Sequence, residues 1–180
     1  WVLSMDADER VTPALAAEIR ALLGRGPDLK GSRIRRVSFY LGQWVRSTDW
    51  FPDFQLRLYA RRAGRWNGMK IHESFRLAEG PHGQLRGELE HYAYRDISHH
   101  LQKINAYTAL TAEQWHEEGR RTNLLALALH PAFAFFRNYV LRAGFKDGRV
   151  GFIVSVLNSY YVFLKLAKLW ERQRALTPDS

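Results

Sequence analysis

Apolar positions come in short, strand-length runs through the first 95 residues and at helical spacing from residue 96 onward. Trp1 to Met5 is an apolar run closed by Asp6, Asp8 and Glu9, the form of a buried strand that opens into an acidic loop. Thr12-Pro13 followed by Ala14, Leu15, Ile19, Leu22 and Leu23 predicts a capped helix with one apolar stripe, ended by Gly24 and Gly26. Arg33 to Leu41 and Phe54 to Ala60 hold β-branched and aromatic residues in partial alternation and predict two strands, with Gly42 to Pro52 a Trp-rich loop between them. Leu85 to Tyr94 is a third candidate strand.

After Asp96 the stripe Ile97, Leu101, Ile104, Tyr107 predicts a helix that runs to about Gly119. A second helical stretch starts at Asn123, with Pro131 interrupting it. A glycine-containing turn, Gly144 to Gly151, leads into a last long helix from Val150 to about Gln173. The expected class is α/β, with a mixed front over residues 1–95 and an all-helical back over residues 96–180.

Composition narrows the chemistry. With 180 residues, 46% hydrophobic and 25% charged, the chain is a folded domain with a sizeable core. Having no cysteine, it has no disulfide, thiolate zinc site or thiol nucleophile, which suits a reducing compartment, and cytoplasm is the expected location. Lys and Arg number 27 against 18 Asp and Glu, a net charge of +9 that favours a polyanion such as nucleic acid, anionic lipid or a phosphorylated substrate. The charge-free run Val150 to Leu164 is shorter than the roughly 17–25 residues that cross a bilayer, which argues against a membrane span.

The pair Asp6-x-Asp8 at the end of an apolar strand lies where α/β sheets usually bind ligands. Magnesium takes one or two carboxylates together with substrate phosphates, so the pair suits an ion that arrives with a nucleotide diphosphate. The same acids could simply solvate a loop ahead of a helix N-terminus, where negative charge is favourable by roughly 0.3–1 kcal/mol. Two reaction classes place Asp-x-Asp after such a strand. The haloacid-dehalogenase-type phosphatases use the first Asp as nucleophile and carry Thr or Val two places after the second, where this chain has Arg10. The nucleotide-sugar glycosyltransferases of GT-A type use the pair to hold a metal and the sugar nucleotide.

Several separate blocks decide between them. "WVLSMDADERVTPALAAEI", "FYLGQWVRSTDWFPDFQLRLYARR", "KIHESF", "LEHYAYRDISHHLQKINAYT" and "GFKDGRVGFIVSVLNSYYVFLKLAKLWE" occur in the order that resembles family-2 glycosyltransferases, in the branch similar to lipopolysaccharide-core β-glucosyltransferases. The resemblance covers nearly the whole chain. It implies the C-terminal part of a GT-A, Rossmann-like domain followed by a helical tail. It also implies that a strand-helix unit cradling the base lies upstream of Asp6, so that the chain is a piece of a longer enzyme.

For individual residues the resemblance implies the following. Asp6 faces the nucleotide-sugar side and Asp8 ligates Mg²⁺ or Mn²⁺, with the donor expected to be a UDP-sugar. Glu9 is either a helix cap or a substrate contact. Asp53 falls in the acceptor-side block and is the first choice for the base of an inverting transfer, which needs a carboxylate within about 3 Å of the acceptor hydroxyl. His72 is a candidate further metal ligand and Glu73 a competitor for the base, although the two could equally fix a turn.

Gln55 and Arg57 alternate with Asp53 and project to the same face, where they could receive phosphate or sugar hydroxyls. Trp44, Trp50 and Phe51 offer flat apolar surfaces for a sugar ring or lipid, yet large aromatics are more often core. The basic residues Arg33, Arg35, Arg36, Arg57, Arg61, Arg62 and Arg65 are either solvated or a surface for a phosphorylated glycolipid acceptor or for anionic headgroups. Nucleic acid is not expected as a partner, because no nucleic-acid motif is present.

The helical tail, rich in Leu, Phe, Tyr and Trp and flanked by Arg and Lys, fits either packing between helices or a membrane interface. With a lipopolysaccharide-core or other lipid-linked acceptor, the expected location is peripheral, at the inner face of the cytoplasmic membrane. The alternatives are a magnesium-dependent phosphatase and a non-catalytic membrane-associated binding module.

Overall fold

The computed structural model describes residues 1–66 and 75–175. Two compact units are formed, one from residues 1–39 and 50–93, the other from residues 40–49 and 94–180. The α/β class with a helical C-terminal region is borne out.

The first unit is built on a mixed sheet. Its strands are β1 (Val2–Leu3), β2 (Glu9–Val11), β3 (Gly31–Tyr40), β5 (Asp53–Tyr59) and β8 (His82–His91), in the order β1-β5-β3-β8-β2. The pair β3–β8 is parallel and the other pairs are antiparallel. A separate antiparallel pair joins β6 (Gly64–Trp66) to β7 (Phe75–Leu77), with the Phe75 ring stacked 3.8 Å from that of Tyr59. Helix α1 (Pro13–Gly24) starts where the sequence predicts: Thr12 is the N-cap, its Oγ1 accepting the Leu15 N–H at 3.2 Å, and Pro13 opens the first turn.

Leu15 on α1 is fully buried against Ile34, Leu58, Leu85 and Leu89, with Leu3, Val11, Ile19 and Leu22 around them. The helix lies so close to β8 that a Cβ on Gly87 would come within 2.6 Å of the Leu15 Cα, so this position admits only glycine. The Glu18 carboxylate closes the contact by accepting the backbone N–H groups of Arg86 and Gly87.

Two features differ from the sequence reading. The run Trp1 to Met5 predicts a buried strand, but β1 is two half-buried residues, and Trp1 is exposed. Among the described residues β1 pairs only with β5, so one of its edges stays uncovered. The acidic loop, in turn, does not run straight into the helix. It re-enters the sheet as β2, because Glu9, Arg10 and Val11 pair with His91, Glu90 and Leu89 of β8.

The second unit holds β4 (Gln43–Val45), a 3₁₀ turn (Thr48–Trp50) that begins in it, and three helices: α2 (Ile97–Glu117), α3 (Leu124–Phe136) and α4 (Gly148–Ala175). The Trp-rich loop thus contains short regular elements. Asp96 and Asn123 cap α2 and α3, accepting N–H groups at 2.7 and 2.9 Å. Pro131 does not interrupt α3, which continues through it and passes into a π-helical turn, Arg137–Leu141. Packing on α4 holds the helix there: the Ser159 hydroxyl donates to the Pro131 carbonyl at 2.8 Å, and the Phe135 and Phe152 rings meet edge to face.

On α2 the buried stripe is rotated from the apolar period that predicts the helix. Ile97, Leu101 and Tyr107 are exposed, and the buried positions are His100, Ile104, Thr108 and Ala112. These smaller or satisfied side chains suit a close approach to α4. His100 Nδ1 lies 3.1 Å from the Tyr40 hydroxyl, and the Thr108 hydroxyl, which donates to the Ile104 carbonyl, accepts from Lys168 on α4 at 2.9 Å.

Candidate functional site

Cross-strand partners share a face of a sheet. The register pairs Arg36 with both Asp53 and Leu89, Glu9 and Ser38 with His91, and Val11 with Leu89. One face therefore changes character along its length. Ile34, Leu89 and Val11 form the apolar end under α1, and Arg36, Asp53, Gln55, Arg57, Glu9 and His91 form a charged end beside the loop that carries Asp6 and Asp8.

At the centre of the charged end is Glu9. Its side chain has no exposed surface and accepts from Arg57 at 2.6 Å, from Arg36 at 3.2 Å and from the Asp6 backbone N–H at 2.9 Å. Thr12 caps the helix and Glu9 lies within this network, so the cap role expected as one option for Glu9 is overturned. The carboxylate instead anchors two guanidinium groups. Arg57 also bonds the Asp6 carboxylate, and Arg36 bonds Asp53 at 2.7 Å. The second Asp53 oxygen accepts the Gln55 amide at 2.5 Å. Burial alone would raise the Asp6 carboxyl, but the Arg57 hydrogen bond and charge, joined by Arg36, outweigh it and hold Asp6 below the usual carboxylate range. Burial likewise opposes the Arg57 charge, and Asp6 and Glu9 overcome it, leaving Arg57 above its ordinary value.

Asp8 stands apart from this pairing. Beside it is the His91 imidazole, whose Nε2 lies 3.6 Å from Asp8 Oδ2, too far for a hydrogen bond. The other ring nitrogen, Nδ1, lies 3.1 Å from the Ser38 hydroxyl. Burial pushes His91 down and the Arg36 charge pushes the same way, against Asp8, Asp53 and Asp6, so its pKa falls to about 4 and the ring is neutral at pH 7. A neutral imidazole beside a partly exposed carboxylate is a two-donor set. It fits an ion that completes its shell with substrate phosphates and water. Among the described residues no group of three or more His, Asp and Glu side chains converges to hold a metal ion without substrate.

The low pKa of His91 has a consequence for stability. The unfolded chain takes up the proton near pH 6.5 and the folded one near pH 4, so between these values the unfolded state binds more protons and stability falls as pH falls. The expected slope is about 1.4 kcal/mol per pH unit across that window. His100, also lowered to about 4 by burial and by the charges of His99 and Lys103, adds a slope of the same sign. Urea unfolding at pH 7 and pH 5 checks this. His91→Gln should flatten the dependence, and a variant whose pH dependence matches the parent would show that His91 takes up its proton without strain.

Of the residues singled out in the sequence, Asp6, Asp53, Gln55 and Arg57 come together in one network with Asp8 at its rim. His72 and Glu73 lie outside the described residues. Arg36, Glu9 and His91 are the members whose roles the sequence does not disclose. Arg36 is one of several arginines in a row, and His91 meets Asp8 only because β2 pairs with β8. The arginine that ends "DADER", Arg10 on β2, is exposed and pairs with Glu90 at 3.6 Å.

The chain is similar over 96% of its length to the lipopolysaccharide core biosynthesis glycosyltransferase LpsC of Rhizobium meliloti, at 31% identity over 174 residues that cover 64% of that protein. Uncharacterized glycosyltransferases of Rickettsia typhi (RT0209) and Rickettsia prowazekii (RP128) match 95% and 100% of the chain at 26% and 24% identity, over 62% and 66% of their own lengths. The chain thus spans a little under two thirds of these relatives. No protein-family model and no solved structure matches it. The resemblance to glycosyltransferases of lipopolysaccharide-core type, read from the sequence blocks, is borne out by these homologues.

Proposed function

We propose that this chain, a homologue of glycosyltransferases, carries the acceptor-side and metal-side groups of an inverting enzyme that moves a sugar from a nucleotide-sugar, most simply a UDP-sugar, to a lipopolysaccharide-core or other lipid-linked glycan. The observation that carries the reading is the convergence of Asp6, Asp8 and Asp53 at one charged end of a sheet face, in a chain similar over 96% of its length to a lipopolysaccharide core biosynthesis glycosyltransferase. The acceptor places the enzyme at the inner face of the cytoplasmic membrane.

Asp53 is the base. A carboxylate offers about four acceptor sites, so the contacts from Arg36 and Gln55 fix its orientation and leave capacity to take the acceptor hydroxyl proton. Arg36 and Arg57, held in place by Glu9, present positive charge next to the acid pair, where an anionic diphosphate is to be received. Asp8, with His91 at its side, is the residue that would hold Mg²⁺ or Mn²⁺. When bound, that ion neutralises charge on the departing diphosphate. Asp6, engaged by Arg57, positions the loop and the guanidinium.

The phosphatase alternative is weaker. It requires Asp6 as a free nucleophile, and Asp6 is ion-paired with Arg57.

The test is donor hydrolysis and transfer by the full-length protein with a panel of nucleotide-sugars and increasing Mn²⁺. Asp8→Ala should raise the Mn²⁺ requirement by at least 10- to 100-fold, the cost typical of disturbing a metal site. An Asp8→Ala protein with the parent's Mn²⁺ curve, or a parent indifferent to chelator, would remove the metal from the reaction.

A further inference from the structure

Helix α3 carries no Lys, Arg, Asp or Glu from residue 124 to 136, and its apolar side chains face outward. Leu124 is 80% exposed, Leu125 66%, Phe133 58% and Leu129 56%, and only 11% of the stretch Leu124–Leu141 is buried. Helix α4 carries a second stripe, Phe152, Val156, Tyr160 and Phe163, at the spacing of one helical face, with each side chain at least 40% exposed. The two helices pack on each other through Phe135–Phe152 and Ser159–Pro131. Soluble proteins rarely leave apolar surface of this extent open to water.

Charge identifies the occupant. From Arg120 to Trp170 there are eight Lys and Arg residues and one acid, Asp147. That acid is taken up by the Ser47 hydroxyl and the Arg46 N–H. Arg120 and Arg121 stand before α3, and Arg137 and Arg142 close it; Arg120 pairs with Glu118, and Arg137 and Arg142 share the single carboxylate of Asp49, so the cations still outnumber the acids there. A second copy of this face would set one positive excess against another. An anionic leaflet complements both the apolar stripes and the cations at their ends.

By length and composition both helical stretches could cross a membrane, but the far side of α4 packs on the polar helix α2. There Lys168 bonds the Asn105 carbonyl and the Thr108 hydroxyl, and Lys165 lies over the Trp115 ring. Lipid on one side and a polar helix on the other is the environment of a helix pair lying in the interface.

We propose that α3 and the outward stripe of α4 form a monotopic docking face for an anionic lipid leaflet. The proposal deepens the membrane-side location given above and rests on that reading only for the reason the enzyme needs a membrane.

The experiment is flotation of the full-length protein with phosphatidylcholine vesicles, with and without phosphatidylglycerol, for the parent and for Leu125→Glu/Phe133→Glu. Both side chains are exposed, so the double variant should keep its fold, checked by circular dichroism. The parent should float with the anionic vesicles and bind the neutral ones less. The double variant should bind at least tenfold more weakly, since two large apolar groups are lost from the lipid contact.

Equal flotation of variant and parent would overturn the proposal. So would a parent that ignores both vesicles and instead forms a concentration-dependent dimer that the double variant abolishes. Nucleotide-sugar hydrolysis by the same parent preparation, assayed without lipid, reports on the reaction separately. Its absence together with vesicle binding would sink the proposed activity and leave the docking face standing.

Discussion

Glu9→Ala should lower the free energy of unfolding by about 3–5 kcal/mol, the usual cost of removing one partner from a buried ion pair. Glu9 is surrounded by protein, and three donors point at its carboxylate: Arg57, Arg36 and the Asp6 N–H. Alanine leaves two guanidinium groups close together with one counter-charge fewer, in a place where neither can fully hydrate. Arg57 would retain Asp6 and Arg36 would retain Asp53, so the loss is partial. Glu9→Gln keeps an acceptor for the backbone N–H but not the charge, and should fall between the parent and alanine. Urea denaturation of the three proteins is the measurement, and the reading fails if both variants lie within about 0.5 kcal/mol of the parent, the range of a neutral surface change.

Asp53→Asn should reduce kcat for transfer by about 10²- to 10⁴-fold, the contribution of a positioned general base. Asparagine keeps the shape and one oxygen that can accept from Arg36, so the change is directed at proton removal more than at packing. Two readouts separate a base from a mere partner of Arg36. The donor KM should stay within a few fold, because the role proposed for Asp53 is on the acceptor side. Donor hydrolysis by water should drop less than transfer, since water needs no base as precisely placed as a bound hydroxyl does. If Asp53→Asn transfers sugar at a tenth of the parent rate or better, the base lies elsewhere and Glu73 is the next residue to change.

How far the site could be read from sequence depends on the range of the interactions that make it. Asp6, Asp8, Asp53, Gln55 and Arg57 are visible because they recur in short blocks, and the last three alternate along one strand. Glu9 was visible as a residue but not as an anchor, since that role comes from two strands distant in sequence. His91 carried no local signal at all. It ends an ordinary strand, and its relation to Asp8 is created by the antiparallel pairing of Glu9 with His91. The buried stripe of α2 is hidden in the sequence for a related reason. A rule that puts large apolar residues inside passes over His100 and Thr108, whose polar atoms find partners only once Tyr40 and Lys168 are in place.

Local chemistry in the sequence thus determined the helix caps at Thr12, Asp96 and Asn123, the central strands, the acid pair and the apolar character of the last helices. Each of these depends on neighbours within a few residues, where backbone hydrogen bonding and side-chain period act directly. Tertiary structure alone decided which charged residues neutralise one another, which nitrogen stands beside Asp8, and which sides of α3 and α4 remain uncovered. Those outcomes follow from strand register and helix packing, and a shift of one residue in either would have turned each of these side chains to another neighbour.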